Sequence, residues 1–282
     1  MPELPEVQTI VDDLNKKVVG RKITAAWFNW HKFKAVKNVT GFKIKKVKRV
    51  AKNILVYLND THILLIHLKM TGHLLIGKWA LSSKNAMPME SDAIKERVNA
   101  YIHFVLTLDD GRMIGFSDLR KFGKVLFGSV AEIEGLLELK KLGPDALSPK
   151  LTSYELWQLL KKKSKTIYQT LMDQEVIAGI GNIYANDILH AAGVHPFKTA
   201  KKITQAEADR LLIATRKILK LSLKLRGTSI DDYRDTAGEK GYYAQRRLIY
   251  QREGEKCPHC NHLVKRVKKG GRSAFFCPKC QR

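Results

Sequence analysis

Residues 3 to about 19 place Leu4, Val7, Ile10, Val11, Leu14 and Val18 at spacings of mostly three and four, one apolar face of a helix, and Gly20 ends the run. From Arg21 to Gly128 the period shortens. β-Branched and aromatic runs at 53–58, 62–68, 101–108 and 112–117 predict strands, with Asp110-Gly111 as a hairpin turn, so this half reads as a β-sandwich or barrel. The segment 79–99 loses the alternation at Ser82, Ser83, Asn85 and Pro88 and reads as a long connection with no assigned role. Beyond Gly143-Pro144 and Ser148-Pro149 the helical period returns at 152–162, 165–173, 182–191 and Thr204 to about Leu225, with a glycine-interrupted stretch at 178–181. Gly227 to about Arg246 is polar, holds Gly238 and Gly241, and is too long for an ordinary connection, which marks a mobile functional loop. The expected fold class is α+β and multidomain: an N-terminal helix with a β-sandwich over 1–135, a linker over 136–150, a helical domain over 151–246 that carries the loop 227–246, and a C-terminal module over 247–282.

The 282 residues hold 51 Lys and Arg against 27 Asp and Glu, a net charge of +24, and an excess of that size points to a polyanionic partner. With 44% hydrophobic and 28% charged residues the chain has the apolar surface to offset the entropy of ordering, which excludes a disordered basic tail. No stretch reaches the roughly 18 to 20 apolar residues of a membrane span. The opening MPELPEV has two Glu where a secretory signal is positive, so a cytoplasmic protein is expected. Between Asp13 and Asp60 there is no acidic residue, while Lys and Arg recur throughout. The alternation in Phe42-Lys43-Ile44-Lys45-Lys46-Val47-Lys48 puts basic side chains on the open face of a strand. Such a face suits phosphates, whose contacts position a duplex without reading its sequence.

All four cysteines fall in the last 26 residues, as Cys257-x2-Cys260, sixteen intervening residues, then Cys277-x2-Cys280. This is the spacing of a four-thiolate Zn2+ site on two short knuckles, a closed shell with no position for substrate and therefore structural. His259 and His262 are not needed as ligands. At the other end, removal of Met1 ahead of the small Pro2 would leave a secondary amine. An α-amino group has a pKa of roughly 7.7 to 8.0, so a useful fraction is unprotonated and nucleophilic at neutral pH, able to attack a sugar C1′ or an aldehyde. Glu3 and Glu6 lie three apart in the first helical turn, on the side of that amine, and supply acid/base groups.

MPELPEV, Lys52, Gly179-Ile180-Gly181-Asn182-Ile183-Tyr184-Ala185 and a terminal four-cysteine finger containing Gly271-Arg272 and Cys277-Pro278-Lys279-Cys280-Gln281 together resemble the formamidopyrimidine-DNA glycosylases, and the likeness runs end to end. The resemblance implies a bifunctional glycosylase and abasic-site lyase that acts as a monomer on double-stranded DNA containing an oxidised base, in a cleft between domains, with no cofactor for catalysis. It implies that Pro2 is the nucleophile at C1′, Glu3 the general acid/base and Glu6 a site-shaping carboxylate, with Lys52 and Arg272 among the catalytic groups on the lesion's phosphates. Asn182, in the turn of a helix-two-turn-helix motif, would clamp the same backbone. Met70, Arg120 and Phe122 would fill the gap left by an everted base, as an apolar wedge with a bidentate donor should. His67, Tyr101 and His103 are further DNA-contact candidates, and Gly227-Thr228-Ser229-Ile230, Tyr233 and Gly238-Glu239-Lys240-Gly241 match the lesion-capping loop of the oxidised-purine type.

Four positions depart from the family pattern. Ala51 stands where glycine is usual, Thr71 follows Met70, Gln8 replaces a frequent Glu, and Ser164 occupies the place of a phosphate lysine, leaving that role to Lys163 or Lys165. Two other readings remain open: an endonuclease VIII-type glycosylase for oxidised pyrimidines, and a non-catalytic zinc-ribbon binder, which would leave Pro2, Glu3 and Glu6 unexplained.

Overall fold

The computed structural model describes residues 1–89, 92–230 and 232–282. The chain divides into two compact units, Met1–Lys140 with Leu225–Ala244, and Lys141–Lys224 with Gln245–Arg282.

The first unit opens with α1 (Leu4–Lys17). Its strands are β1 (Ile23–Phe28), β2 (Ile44–Val50), β3 (Asn53–Leu58), β4 (His62–His67), β5 (His73–Gly77), β6 (Trp79–Leu81), β7 (Ala86–Pro88), β8 (Ile102–Leu108), β9 (Met113–Ser117) and β10 (Lys124–Ser129). Two four-stranded antiparallel sheets, ordered β1-β8-β9-β5 and β10-β4-β3-β2, face each other as a sandwich. One apolar cluster joins them: Ile54, Val56, Leu64 and Ile66 come from one sheet, Phe104, Leu106, Ile114 and Phe116 from the other, and Val7, Ile10, Val11 and Leu14 from α1. The predicted helix face is thus the face that closes the core. In β2 the alternation is broken by a register shift between Ile44 and Lys46, so that Ile44 and Val47, three apart, are both buried while Lys45, Lys46 and Lys48 stay exposed. Between β1 and β2 lies a 3-10 segment, His31–Val39, that the sequence pattern did not reveal; it buries Phe33, Val36 and Val39.

The segment 79–99 is more than a connection. It forms the β6–β7 hairpin, α2 (Asp92–Lys95) and a 3-10 turn at Arg97–Asn99, and it packs Trp79, Ala86 and Ile94 on Leu75, Ile102 and Val105. Ser and Pro mark its turns, but the buried Trp79 organises it. The expected linker is likewise partly helical, since α3 (Val130–Glu134) is followed by α4 (Leu137–Lys140).

The second unit contains α5 (Ser153–Lys161), α6 (Ile167–Leu171), α7 (Asn182–Ala192) and α8 (Gln205–Lys224), and ends in a hairpin of β11 (Lys265–Lys269) and β12 (Arg272–Phe276). Thr152 and Thr166 cap α5 and α6, and Gly193 closes α7 in the left-handed conformation. One expectation needs correcting. The segment Leu225–Ala244 belongs to the first unit, not to the helical segment before it, because its polar groups bond to α1 and to the 79–99 region. Among the described residues no helix is long and apolar enough to cross a membrane.

Candidate functional site

In the first unit the chain becomes buried at its second residue. Pro2 is buried, and Glu3 and Glu6 are 2% and 1% exposed. Glu3 is the N-cap residue of α1, and its N–H donates to Glu6 Oε2 at 2.8 Å in a capping box. The other Glu6 oxygen, Oε1, accepts from Thr228 N–H at 2.7 Å. Glu6 is therefore a strut between the start of α1 and the start of the 225–244 loop. Gly227 is required there: its φ is +85°, and a Cβ would come within 2.9 Å of Glu6 Cγ.

Lys52 sits in the two-residue turn between β2 and β3 and not within a strand, and it is buried. Ala51 holds a φ of +53°, a left-handed conformation that glycine adopts at least cost. Gln8 helps to hold that turn, for its Oε1 accepts from Arg49 Nε at 2.7 Å and Arg49 Nη1 donates to the Ala51 carbonyl at 2.9 Å. At the same end of the sheet, His67 pairs in register with Asn53 and with Lys124. His67 Nδ1 accepts from Lys69 N–H at 3.0 Å, which leaves Nε2 as the donor of a neutral ring. Burial first, then the charges of Lys69 and Lys52, push the His67 pKa down to about 4. The folded value lies below the unfolded 6.5, so the unfolded chain takes up the proton first as pH falls. Wild-type stability should decline between about pH 6.5 and 4 in urea melts, and His67→Gln should flatten that part of the profile.

Met70, Arg120 and Phe122 are brought together. Arg120 Nη1 lies 3.3 Å from Met70 Sδ, and the guanidinium stands 5.0 Å over the Phe122 ring. Met70 and Phe122 are 42% and 49% exposed, uncommon for side chains of that kind with no apolar cover. Lys69 and Lys121, one beside Met70 and the other between Arg120 and Phe122, have positive φ. Asp118, which sequence reasoning missed, fixes both turns. Its Oδ1 bonds Thr71 Oγ1, Thr71 Oγ1 accepts from Arg120 N–H at 3.0 Å, and Oδ2 accepts from Gly123 N–H at 2.7 Å. Tyr101, half-buried, accepts through its carbonyl from Asp118 N–H. His103 is not a surface contact: it is buried, with Nε2 on the Asp118 carbonyl at 3.0 Å and Nδ1 at 3.1 Å from Asn29 Oδ1, so it supports the turn from below.

In the second unit Asn182 is the first residue of α7, while Gly181 is the N-cap. Asn182 Oδ1 lies 2.5 Å from Tyr168 Oη and accepts from Asn186 Nδ2 at 3.3 Å. Asn186 is itself fixed by Phe275 N–H, 2.6 Å from Oδ1, and Tyr168 Oη also reaches the Ser273 carbonyl at 2.8 Å. Arg272 starts β12 beside a cavity of about 430 Å³ lined also by Lys165, Gln169 and Lys269. Lys165 is exposed there, whereas Lys163 is paired with Asp173 at 3.6 Å.

The four cysteine sulfurs lie within 4.8 Å of one another, with Cys257–Cys280 at 3.8 Å and Cys260–Cys277 at 3.4 Å. A tetrahedral Zn2+ with bonds of about 2.3 Å requires sulfur separations of about 3.8 Å, so the set fits zinc. Two groups already face Cys257 Sγ: His259 N–H donates to it at 3.4 Å, and the His190 ring nitrogen Nε2 lies 3.2 Å away. His190 had no signal in the sequence, because nothing in the α7 pattern distinguishes it from a core position.

Comparison with known proteins covers nearly the whole chain. Residues 1–125 match the formamidopyrimidine-DNA glycosylase N-terminal domain, 142–234 the H2TH domain of the same enzymes, and 254–282 the zinc finger found in FPG and IleRS. A formamidopyrimidine-DNA glycosylase of Chloroflexus aggregans is 38% identical over 291 residues, covering 100% of this chain and 98% of that protein. One of Desulforamulus reducens is 34% identical, covering 100% and 99%. Among solved structures, Lactococcus lactis Fpg in complex with abasic-site DNA has a TM-score of 0.87 at 28% identity, covering 99% of each chain. The MutM (Fpg) protein of Thermus thermophilus gives 0.85 at 30% identity, covering 99% of this chain and 98% of that one.

Proposed function

The chain belongs to the formamidopyrimidine-DNA glycosylase family, and from that premise we propose that it removes oxidised purines from double-stranded DNA by base excision and then cleaves the strand at the abasic site. The observation that carries this reading is the buried Pro2 beside the Glu3–Glu6 capping box, a nucleophile position already furnished with carboxylates. With Met1 removed, the Pro2 nitrogen bonds to C1′ as the glycosidic bond breaks and the base departs. Glu3 passes protons at the sugar, opening the ring to an iminium. Loss of the C2′ proton then expels the 3′ phosphate, and a second elimination expels the 5′ phosphate.

The other residues divide by task. Lys52 and His67 in the first unit, and Asn182, Arg272 and Lys165 in the second, hold phosphates. Lys165 takes the place left by Ser164, since it lines the Arg272 cavity while Lys163 is engaged with Asp173. Met70, Arg120 and Phe122 enter the stack, and the Arg120 guanidinium reads the orphaned base. The loop that begins at Gly227 folds over the everted base and offers it backbone N–H groups. The zinc site is structural and keeps the finger hairpin in shape. Lactococcus lactis Fpg bound to DNA containing Fapy-dG, whose fold this chain shares, supports the substrate class.

Single-turnover excision on matched duplexes tests the substrate. We expect 8-oxoguanine and ring-opened guanine opposite C to be removed faster than the same lesions opposite A. Faster removal of thymine glycol or dihydrouracil than of 8-oxoguanine opposite C would transfer the protein to the endonuclease VIII type.

A further inference from the structure

The Leu225–Ala244 loop is closed at its base, where Tyr242 N–H donates to the Leu225 carbonyl and Tyr243 N–H to that of Gly227. Its first residues are tied to the catalytic helix through Thr228 and Glu6. Its middle is held by a different part of the chain. Ile76 N–H donates to the Thr236 carbonyl at 2.8 Å. Arg234, only 4% exposed, meets Glu96 with two parallel bonds, Nε to Oε2 at 2.7 Å and Nη2 to Oε1 at 2.9 Å. Asn99 Nδ2 donates to the Ala93 carbonyl at 2.6 Å and lies 3.5 Å from that of Gly238, in an orientation set by His73 Nε2 on Asn99 Oδ1 at 2.7 Å. Glu96 and Asn99 both lie in the segment that looked like a bare connection.

We infer that Ala93–Asn99 is the anchor of the base-capping loop, and that Glu96, acting through Arg234, is a positioning residue for removal of the oxidised base but not for cleavage of an abasic site. The inference rests on the capping role proposed above for the loop. A buried guanidinium needs a hydrogen-bonded anion, and Arg234 holds the Glu96 carboxyl below the ordinary carboxylate range. Arg234 Nη1 also donates to the Tyr233 carbonyl at 2.8 Å, within the loop itself, so removing Glu96 takes away the charged bond from the loop to the 93–99 segment and loosens the middle of the loop. The loop must then be ordered afresh each time a base is everted, which lowers the population competent for excision. An abasic site presents no base to cap, so the elimination steps are indifferent to the anchor.

The test is single-turnover kinetics on two duplexes, one with 8-oxoguanine opposite C and one with a preformed abasic site, for the full-length protein and its variants. Glu96→Ala should slow excision about ten-fold or more while leaving abasic cleavage within about two-fold; retained abasic cleavage also shows that the fold is intact. Should Glu96→Ala not fold, Glu96→Gln, which keeps an acceptor and loses the charge, should show a smaller loss confined to excision. Asp235→Ala serves as the reference, because Asp235 makes the loop's own turn by accepting from Ala237 N–H, Glu239 N–H and Arg226. If Asp235→Ala leaves excision intact, the loop does not read the base, and the capping role fails together with the inference. If Asp235→Ala slows excision and Glu96→Ala does not, or if Glu96→Ala slows both reactions alike, the anchor alone is wrong.

Discussion

A chain with any residue retained ahead of Pro2 should lose base excision by about a thousand-fold or more while still binding a duplex that carries an uncleavable abasic-site analogue. The reason is chemical before it is structural. Acylation turns the Pro2 nitrogen into an amide, whose lone pair is delocalised into the carbonyl, so it can neither attack C1′ nor form an iminium. The surroundings should survive, because Met1 is already 42% exposed and the Glu3–Glu6 box and the Thr228 contact involve no atom of residue 1. Borohydride should trap a covalent protein–DNA adduct with the processed chain, and peptide mapping should locate it at the terminal proline. An adduct of undiminished yield with the extended chain would remove Pro2 from the mechanism.

Loss of zinc should be nearly as damaging, by a different route. Cys277 follows directly on β12, the strand that begins with Arg272, and its N–H donates to Gln281 Oε1 at 2.9 Å. The local apolar cluster comprises Ile249, Val264 and Phe275 with the buried Cys257 and Cys277, too small to fold a hairpin unaided. In modules of this size the metal supplies most of the folding free energy, about 10 kcal/mol or more in isolated finger peptides. Cys277→Ser, or chelation, should therefore weaken binding of lesion duplex about a hundred-fold or more, while far-ultraviolet dichroism from α5, α7 and α8 changes little. Arg272→Ala should lose less, since it removes one phosphate contact and leaves the hairpin intact. If Cys277→Ser bound lesion DNA normally, the finger would not be a DNA contact and Arg272 would have no part in the reaction.

Much of the architecture was legible along the chain because the signals are local. The spacing from Leu4 to Val18 specified α1 to within a few residues, the runs at 53–58 and 62–68 are β3 and β4, and the stretches at 152–162 and 182–191 are α5 and α7. The Cys-x2-Cys pairs specified a four-sulfur cluster that the structure contains. Where residues of opposite character had to be weighed at a distance, the pattern was silent or misleading. The polar 79–99 segment gave no hint that Trp79 would be buried, since one aromatic without a periodic partner carries no phase. His103 is a DNA-contact candidate by its place in the strand pattern, yet Asn29 and Asp118, 74 and 15 residues away, claim both its ring nitrogens.

The sequence by itself thus determined the element types, the basic face, the metal ligands and, through resemblance, the candidate chemistry, because each depends on residue identity and short spacing. Tertiary structure alone decided how those groups are held. It turned Glu6 into a strut to Thr228, 222 residues on, joined Arg234 to Glu96 across 138, and gave Asp118 the turns that carry Met70 and Arg120. Such contacts link polar atoms that are far apart in the chain. A carboxylate becomes a support or a reactant only when the fold determines which donors share its buried site, and no periodicity along the chain encodes that choice.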